Sequence, residues 1–484
     1  MSYTRIVTPE EFAGAFKDPL NVVLSTFGPN GGNVLVAGDQ GRTVFDDGLR
    51  AVENYVPSDP LSREATAYLL DAARAQMEAG RDGTSTTMIL TAKMIEVGME
   101  MRKKTGKNNV IAAFEESVKD VVRSLEAMSE ANVTEEMLKH VATLSMHGNL
   151  ELGNMVGGLA WRLGRHGSLS AVSKIGGEIE ILEEEGFVWS GGALDEIMFN
   201  QGARFVSQEA LVILANGEIE NVESTMWKQV FAAYNAKCAQ DSKTYGLILV
   251  CPKAAGSVAA TFCDPRNVGW AILRCPQHIP SALFLSDLAA VTGATVIDNV
   301  RGSMDHRFTI EHVGKVNNLF AAKTYSVIRM SGEEKVRAAS RIAEIEAYYD
   351  DLDMRDDRDA IETKKARLAC LVGRVGEIRV PMRSQSDFKS LTEVLDDGFG
   401  AAKAALDGVV AGAGIALKDA GKGSAIESAT AFPYNFIQPE FNASLAIAHG
   451  IIDPTKVVVG AVRNAWSVAR QVLNTNMVLS IEQI

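Results

Sequence analysis

The chain is poor in the residues from which metal and redox centres are built. Among 484 residues there are five cysteines, Cys238, Cys251, Cys263, Cys275 and Cys370, and seven histidines. No two cysteines form a C-x-x-C pair and the histidines are scattered, so the ligand spacings of a zinc site are missing. Cysteine this sparse points to buried, reduced thiols. No apolar run reaches the roughly 18 residues a membrane helix needs. The opening M-S-Y-T-R-I-V-T-P-E-E-F lacks the apolar core of a secretory signal. A cytoplasmic location with no membrane partner is therefore expected. Positive charge is short as well: the net charge is −13, which argues against a nucleic-acid partner and for a self-repelling, soluble surface. Neither the G-x-x-x-x-G-K-[ST] phosphate loop nor the kinase signature set is present.

What is present suits a globular protein with several cores, since 46% of residues are hydrophobic and 23% charged. Residues 10–36 read as helix, turn and strand, the turn being F-G-P-N-G-G-N at Phe27–Asn33. Apolar periodicity predicts helices over 61–79, 84–104, 108–130, 134–146 and 149–164. The texture then turns to alternating strand and helix up to about residue 330, with L-I-L-V (Leu247–Val250) and W-A-I-L (Trp270–Leu273) as buried strands. Residues 333–371 are highly charged and read as a solvated helix pair with its turn. Ala-rich helices close the chain. Similar textures at both ends predict a multidomain α plus α/β fold, with one domain built from both termini and the rest inserted.

The most informative stretch is R-D-G-T-S-T-T, Arg81–Thr87. A glycine turn brings backbone N–H groups close to a ligand, and the open N–H groups of the helix that follows favour an anion. Asp82 beside them could hold Mg²⁺, which takes carboxylate, water and phosphate oxygens. The same residues also suit an ordinary N-cap made by Asp82 or Thr84. Five further turns adjoin helices: F-G-P-N-G-G at 27–32, D-D-G at 46–48, L-D-D-G at 395–398, V-V-A-G-A-G at 409–414 and I-D-P-T-K at 452–456. Each alone is a common turn.

Together, in this order, the six corners resemble those of a group I (bacterial-type) chaperonin. The resemblance runs through TFGPNGGNVLV, FDDG, RDGTSTTMIL and VATLS (141–145). It resumes at LSDLAAVTGATVI (285–297) and RIAEI (341–345), and ends with DGVVAGAGIAL and GIIDPTKV. It implies the chaperonin fold: a mainly helical equatorial ATPase domain (1–128 and 407–484), a small intermediate domain (129–184 and 374–406) and an α/β apical domain (185–373). It implies ATP and Mg²⁺ as cofactors, with K⁺ as a further candidate cation. Thr26, Phe27, Gly28 and Pro29, with Gly83, Thr84, Ser85 and Thr86, would cradle the phosphates, and Asp82 would hold the metal. Asp47 and Asp396 would position and activate the attacking water. Gly412, Ala413 and Asp453 would form the nucleoside pocket, with Asn442, in a strand-like F-N-A-S, near the adenine. Non-native polypeptides would bind an apolar apical groove at Ile197, Met226, Trp227, Val230, Val258 and Phe262. Gly186 and Gly373 would be hinges. The implied assembly is a homo-oligomeric ring, heptameric, with a co-chaperonin as a further partner.

Departures from the pattern mark a divergent member, of the kind a phage or an accessory copy would encode. Arg81 replaces a glycine and Asp46 a basic residue. Ala413 replaces the middle glycine of G-G-G, which is tolerated where its φ is negative. The segment between Gly414 and Asp453 is short by a helix, a hairpin or both. These departures motivate an alternative reading, a ring that holds clients without productive ATP cycling.

Overall fold

The computed structural model describes residues 2–483 apart from 39–40, 81, 147, 166, 175, 201–203, 221–224, 265, 268, 298–308, 324, 352–357 and 382–384. Two compact units result: unit 1 is Met1–Arg165 with Lys389–Ile484, and unit 2 is His166–Phe388. Both chain ends thus build one unit, as their similar texture led us to expect.

Unit 1 begins with β1 (Ser2–Val7), α1 (Pro9–Gly14) and α2 (Lys17–Thr26), then the hairpin β2 (Val34–Gly38) and β3 (Gly41–Phe45). Helices α3 (Gly48–Glu53), α4 (Pro60–Gly80), α5 (Thr84–Thr105), α6 (Lys107–Ala127), α7 (Glu135–Ser145) and α8 (Leu150–Leu163) follow. They begin where local chemistry starts helices. Thr8 and Glu11 form a capping box on α1, and Thr134 and Asn149 accept N–H groups at the starts of α7 and α8.

Unit 2 contains β4 (Ser168–Lys174), β5 (Glu180–Trp189), β6 (Phe205–Ser207), β7 (Ala210–Ala215), β8 (Glu218–Ile219), α9 (Thr225–Gln240), β9 (Gly246–Cys251), β10 (Lys253–Ala254), α10 (Gly256–Phe262), β11 (Trp270–Arg274) and α11 (Ser281–Thr292). It continues with β12 (Val296–Ile297), β13 (Gly314–Val316), β14 (Leu319–Ala321), β15 (Ser326–Ile328), α12 (Gly332–Asp351), α13 (Arg358–Leu371) and β16 (Gly373–Pro381). Helix α14 (Gln385–Ala405) leads back into unit 1, which closes with β17 (Val409–Ala411), α15 (Ile415–Gly421), α16 (Glu427–Thr430), α17 (Phe432–Ile437), α18 (Ala443–Ala448), β18 (Ile452–Pro454), α19 (Thr455–Asn474) and β19 (Val478–Gln483).

In unit 1 the core forms around α5, whose Met88, Ile89, Leu90, Met94 and Ile95 are fully buried against residues of α4, α6 and α19. β1 pairs antiparallel with β19, so the two ends of the described chain are hydrogen-bonded to each other.

Among the described residues unit 2 is built on two main sheets, with β8 and β10 pairing as a small third. In the first, β11, β9, β7 and β12 run parallel and β13 pairs antiparallel with β7. Its central strands read as unbroken apolar runs because both faces are covered. The second has the order β4-β16-β5-β15-β14-β6. There β5 changes partner: up to Gly186 it pairs with β16, and from Phe187 with β15. Gly186 and Gly373 stand opposite each other at that switch. A Cβ on Gly186 would lie 2.1 Å from the Ile328 carbonyl oxygen, and one on Gly373 2.5 Å from Val188 Cβ. Close packing therefore requires glycine at both, and neither has a positive φ.

Two expectations change. The charged 333–371 stretch is a helix pair, but it is not simply solvated. Arg367 of α13 is buried and grips Asp287 of α11 with two hydrogen bonds, at 2.7 and 2.8 Å, and Arg341 of α12 adds a third at 2.9 Å. Of the five free cysteines, Cys251, Cys275 and Cys370 are buried, while Cys238 and Cys263 are half-buried.

Candidate active site

The first corner starts where α2 ends at Thr26. The next turn is closed by Gly31 N–H donating to the Gly28 carbonyl at 3.0 Å and Gly32 N–H to the Ser25 carbonyl at 2.8 Å. Gly28 takes φ +83, which favours glycine, and Pro29 is exposed.

The second corner follows the β2–β3 hairpin. Asp47 caps α3, its Oδ1 accepting Arg50 N–H at 2.9 Å. Gly48 is buried, and a Cβ there would meet Ser85 Oγ at 2.6 Å and Thr26 Oγ1 at 3.0 Å. The corners at 26–32, 46–48 and 82–86 thus converge on one point.

The third corner settles the N-cap question for α5. The cap is Gly83 itself, at φ +78, and no side chain caps the helix. Asp82 Oδ1 instead accepts the N–H of Gly83 at 2.6 Å. Gln76 fixes this turn: its Nε2 donates to the Asp82 carbonyl at 2.8 Å and to the Val457 carbonyl at 3.1 Å, and its Oε1 accepts from Asn464 at 2.9 Å. Gln76 is fully buried and escaped our reading of the sequence. Its signal was a polar side chain within the apolar pattern of α4.

From the C-terminal segment, β17 and β18 place Val410 opposite Asp453, and Gly412 N–H donates to the Ile451 carbonyl at 2.9 Å. The Asp453 carboxyl is pushed up to about 7, by loss of water and then by the charge of Asp82. Asp82 is itself pushed upward, chiefly by loss of water, against the lowering hydrogen bond from Gly83, with Asp47 adding to the rise. Asp82 thus feels the charge of Asp47, and Asp453 that of Asp82, across corners distant in sequence. Among the described residues no three His, Cys, Asp or Glu side chains form a ready metal cage.

Asp396 lies on α14, half-buried, one turn after Glu393, which forms an ion pair with Arg50 of α3. Arg81 lies outside the described residues. Asp46 is exposed.

Three expectations need correction. Ala413 has φ +53, in the left-handed region that disfavours a Cβ, so the negative φ on which its tolerance depended is not met. F-N-A-S is not a strand: Asn442 is the N-cap of α18, its Oδ1 accepting Leu445 N–H at 3.0 Å. The third concerns the apical groove. Trp227 (1% exposed), Val230, Val258 and Phe262 are buried in the core of unit 2. They pack there because Trp270 of β11 gathers the helices above it. Phe231 stacks on its ring at 5.7 Å, with Tyr234 and Phe262 both at 5.4 Å. The exposed positions of the two helices include Lys228, Asn235 and Gln240 on α9 and Ser257 and Ala260 on α10, polar or small. Ile197, 71% exposed, remains open. Met226 lies in α9, with its side chain outside what is described.

The sequence pattern of the TCP-1/cpn60 chaperonin family matches residues 20–419. The chain is 23% identical to the chaperonin GroEL of Neorickettsia risticii over 531 aligned positions, covering 98% of this chain and 95% of that protein. Among solved structures, it is similar to the chaperonin gp146 of bacteriophage EL (Pseudomonas aeruginosa), crystallised in the presence of ATP-BeFx. In one crystal form the TM-score is 0.75, with 16% identity and 99% of both chains covered. In the second form the TM-score is 0.71, with the same identity and coverage.

Proposed function

The chain belongs to the TCP-1/cpn60 chaperonin family, and from that premise we propose how this ATP-dependent chaperonin binds and hydrolyses its nucleotide. The observation that carries the reading is the convergence of Thr26, Gly48 and Ser85 on one point, with Asp82 in electrostatic reach of both Asp47 and Asp453. The uncapped start of α5 offers Gly83, Thr84, Ser85 and Thr86 to the phosphates, facing the loop at Thr26, Phe27, Gly28 and Pro29. Asp82 would hold Mg²⁺, which neutralises phosphate charge when bound. Gly412, Ala413 and Asp453 border the nucleoside. Asn442 Oδ1 is committed to its cap, leaving its amide nitrogen for the base.

In the reaction, water bonds to the γ-phosphorus as the β,γ-bridging P–O bond breaks and ADP leaves. Asp47 and Asp396 orient that water and take up its proton. Phosphoryl transfer asks for alignment and charge stabilisation above all, which these residues supply. We assign residues 129–184 and 374–406 to an intermediate domain. Both breaks between the two compact units fall inside these segments.

We infer a homo-oligomeric ring of seven subunits. Supporting it are two open two-stranded ribbons, each with an exposed apolar cross-strand pair: Ile6 opposite Leu479, and Leu35 opposite Val44. Isolated ribbons of this kind are marginal alone and gain by pairing with another chain. Client polypeptides would dock around Ile197 in place of a broad groove on α9 and α10, and reliance on a co-chaperonin would be weak. No described helix is long and apolar enough to cross a membrane, and we propose a cytoplasmic site of action. The test is steady-state ATP turnover of wild type against Asp396→Ala, with native mass on the same samples. Turnover in an intact ring, lost in the variant, is expected. An intact ring without turnover would remove the folding-machine reading.

A further inference from the structure

One ion pair joins the segment that carries Asp47 to the helix that carries Asp396. Arg50 Nη2 on α3 donates to Glu393 Oε2 on α14, across 343 positions of sequence. Both ends lie one helical turn from a proposed catalytic carboxylate. Arg50 is three residues after Asp47, and its backbone N–H is the donor that Asp47 Oδ1 accepts at 2.9 Å. Glu393 is three residues before Asp396 within α14, and positions three apart share a helix face. Fixing Arg50 to Glu393 therefore fixes the Asp47 cap relative to the Asp396 face. Neither residue belongs to any of the six glycine-rich corners.

We propose that Arg50 and Glu393 are positioning residues for hydrolysis: their ion pair clasps α14 to α3, so that Asp47 and Asp396 act on the same water. This rests on the ATPase reading above. The clasp is built to be reversible. Its two side chains remain 43% and 40% exposed, and a pair that open to water is worth up to about 1 kcal/mol, about a fivefold effect. That is enough to bias α14 towards the paired arrangement and too little to lock it. A contact that aligns the water without touching nucleotide acts on the chemical step and leaves ATP affinity alone.

The test compares wild type, Arg50→Glu, Glu393→Arg, the double swap and Asp396→Ala as assembled rings, reading kcat by phosphate release and ATP affinity by nucleotide titration. Each single reversal is expected to lower kcat about fivefold with unchanged ATP affinity, and the double swap to restore most of it. If a reversal prevents assembly, Arg50→Gln and Glu393→Gln replace it, with the same split expected. Wild-type kcat in both singles, a double swap no better than the worse single, or a loss of affinity in place of kcat overturns the clasp alone, provided Asp396→Ala abolishes turnover. Absence of turnover in wild type overturns the ATPase reading and the clasp with it.

Discussion

The buried ion cluster of unit 2 gives the sharpest energetic expectation. Asp287 is 1% exposed and accepts three charged hydrogen bonds, two from Arg367 and one from Arg341. Asp287→Ala leaves the Arg367 guanidinium, 4% exposed, without the carboxylate that neutralises it. Stranding one charge of a buried pair costs about 3–5 kcal/mol. Arg341→Ala is milder, because Asp287 keeps its two bonds to Arg367 and the lost guanidinium was partly in water. About 1.5–3 kcal/mol is expected for that one charged bond, towards the lower end. Hydrogen exchange separates the cases, since amides of α11 and α13 exchange through local opening. A 3 kcal/mol loss accelerates them more than roughly 100-fold. Helices α5 and α19 of unit 1 serve as the internal control and should be unaffected. Acceleration of less than about tenfold in Asp287→Ala, equivalent to roughly 1.4 kcal/mol, or a larger effect from Arg341→Ala, would refute the assignment of this cluster as the clamp on the charged helix pair.

Two further substitutions probe the proposed nucleotide corners. Asp453 has its folded pKa raised to about 7, so the nucleotide-free fold keeps a proton that the unfolded chain has released. Its stability must then fall as pH rises from about 4 to about 7. Asp453→Asn should flatten that fall in pH-dependent melting and stabilise the nucleotide-free protein at pH 8 while weakening ATP binding; an unchanged pH profile would count against it. Ala413→Gly should stabilise by about 0.5–1 kcal/mol, because relief of the left-handed backbone, about 1–2 kcal/mol, outweighs glycine's extra freedom in the unfolded chain, about 0.5–1 kcal/mol. A denaturant midpoint at or below that of wild type would contradict the strain.

What could be read from sequence divides along a physical line. Helices α4 to α8 lie within a few residues of the expected spans, because apolar period and capping residues act locally. The glycine corners were legible for the same reason: Gly83 at φ +78 records a backbone need that no distant residue alters. The apolar stripe of α9 was also visible, since Trp227, Val230 and Phe231 recur at helical spacing. Its direction was not. A stripe reads alike whether it faces solvent or Trp270, and only the neighbouring strand decides. The charged helices misled in the opposite sense, because Arg367 differs from a solvated arginine only in having Asp287 beside it, eighty positions away. The φ of Ala413 and the cap of Asn442 likewise depend on how the chain between Gly414 and Asp453 packs, which no local pattern records.

The segment between Gly414 and Asp453 ties the proposed nucleotide site together. Its helix α17, six residues long, touches both halves of that site. On one side Phe436 lies 6.0 Å from the Phe27 ring, and a Cβ on Gly28 would come within 3.3 Å of Ile437. On the other, the Tyr434 backbone nitrogen lies 2.5 Å from where a Cβ on Gly414 would stand. Lys93 and Lys418 lie over the faces of Phe432 and Tyr434, at 4.3 and 3.5 Å from the ring centres, each worth about 0.5–1 kcal/mol at such partly exposed sites. One short helix therefore braces the loop at 26–32 and the corner at 412–414 together. The backbone on either side of this brace takes left-handed conformations that disfavour a Cβ, at Ala413 with φ +53 and at Gln438, which ends α17, with φ +50.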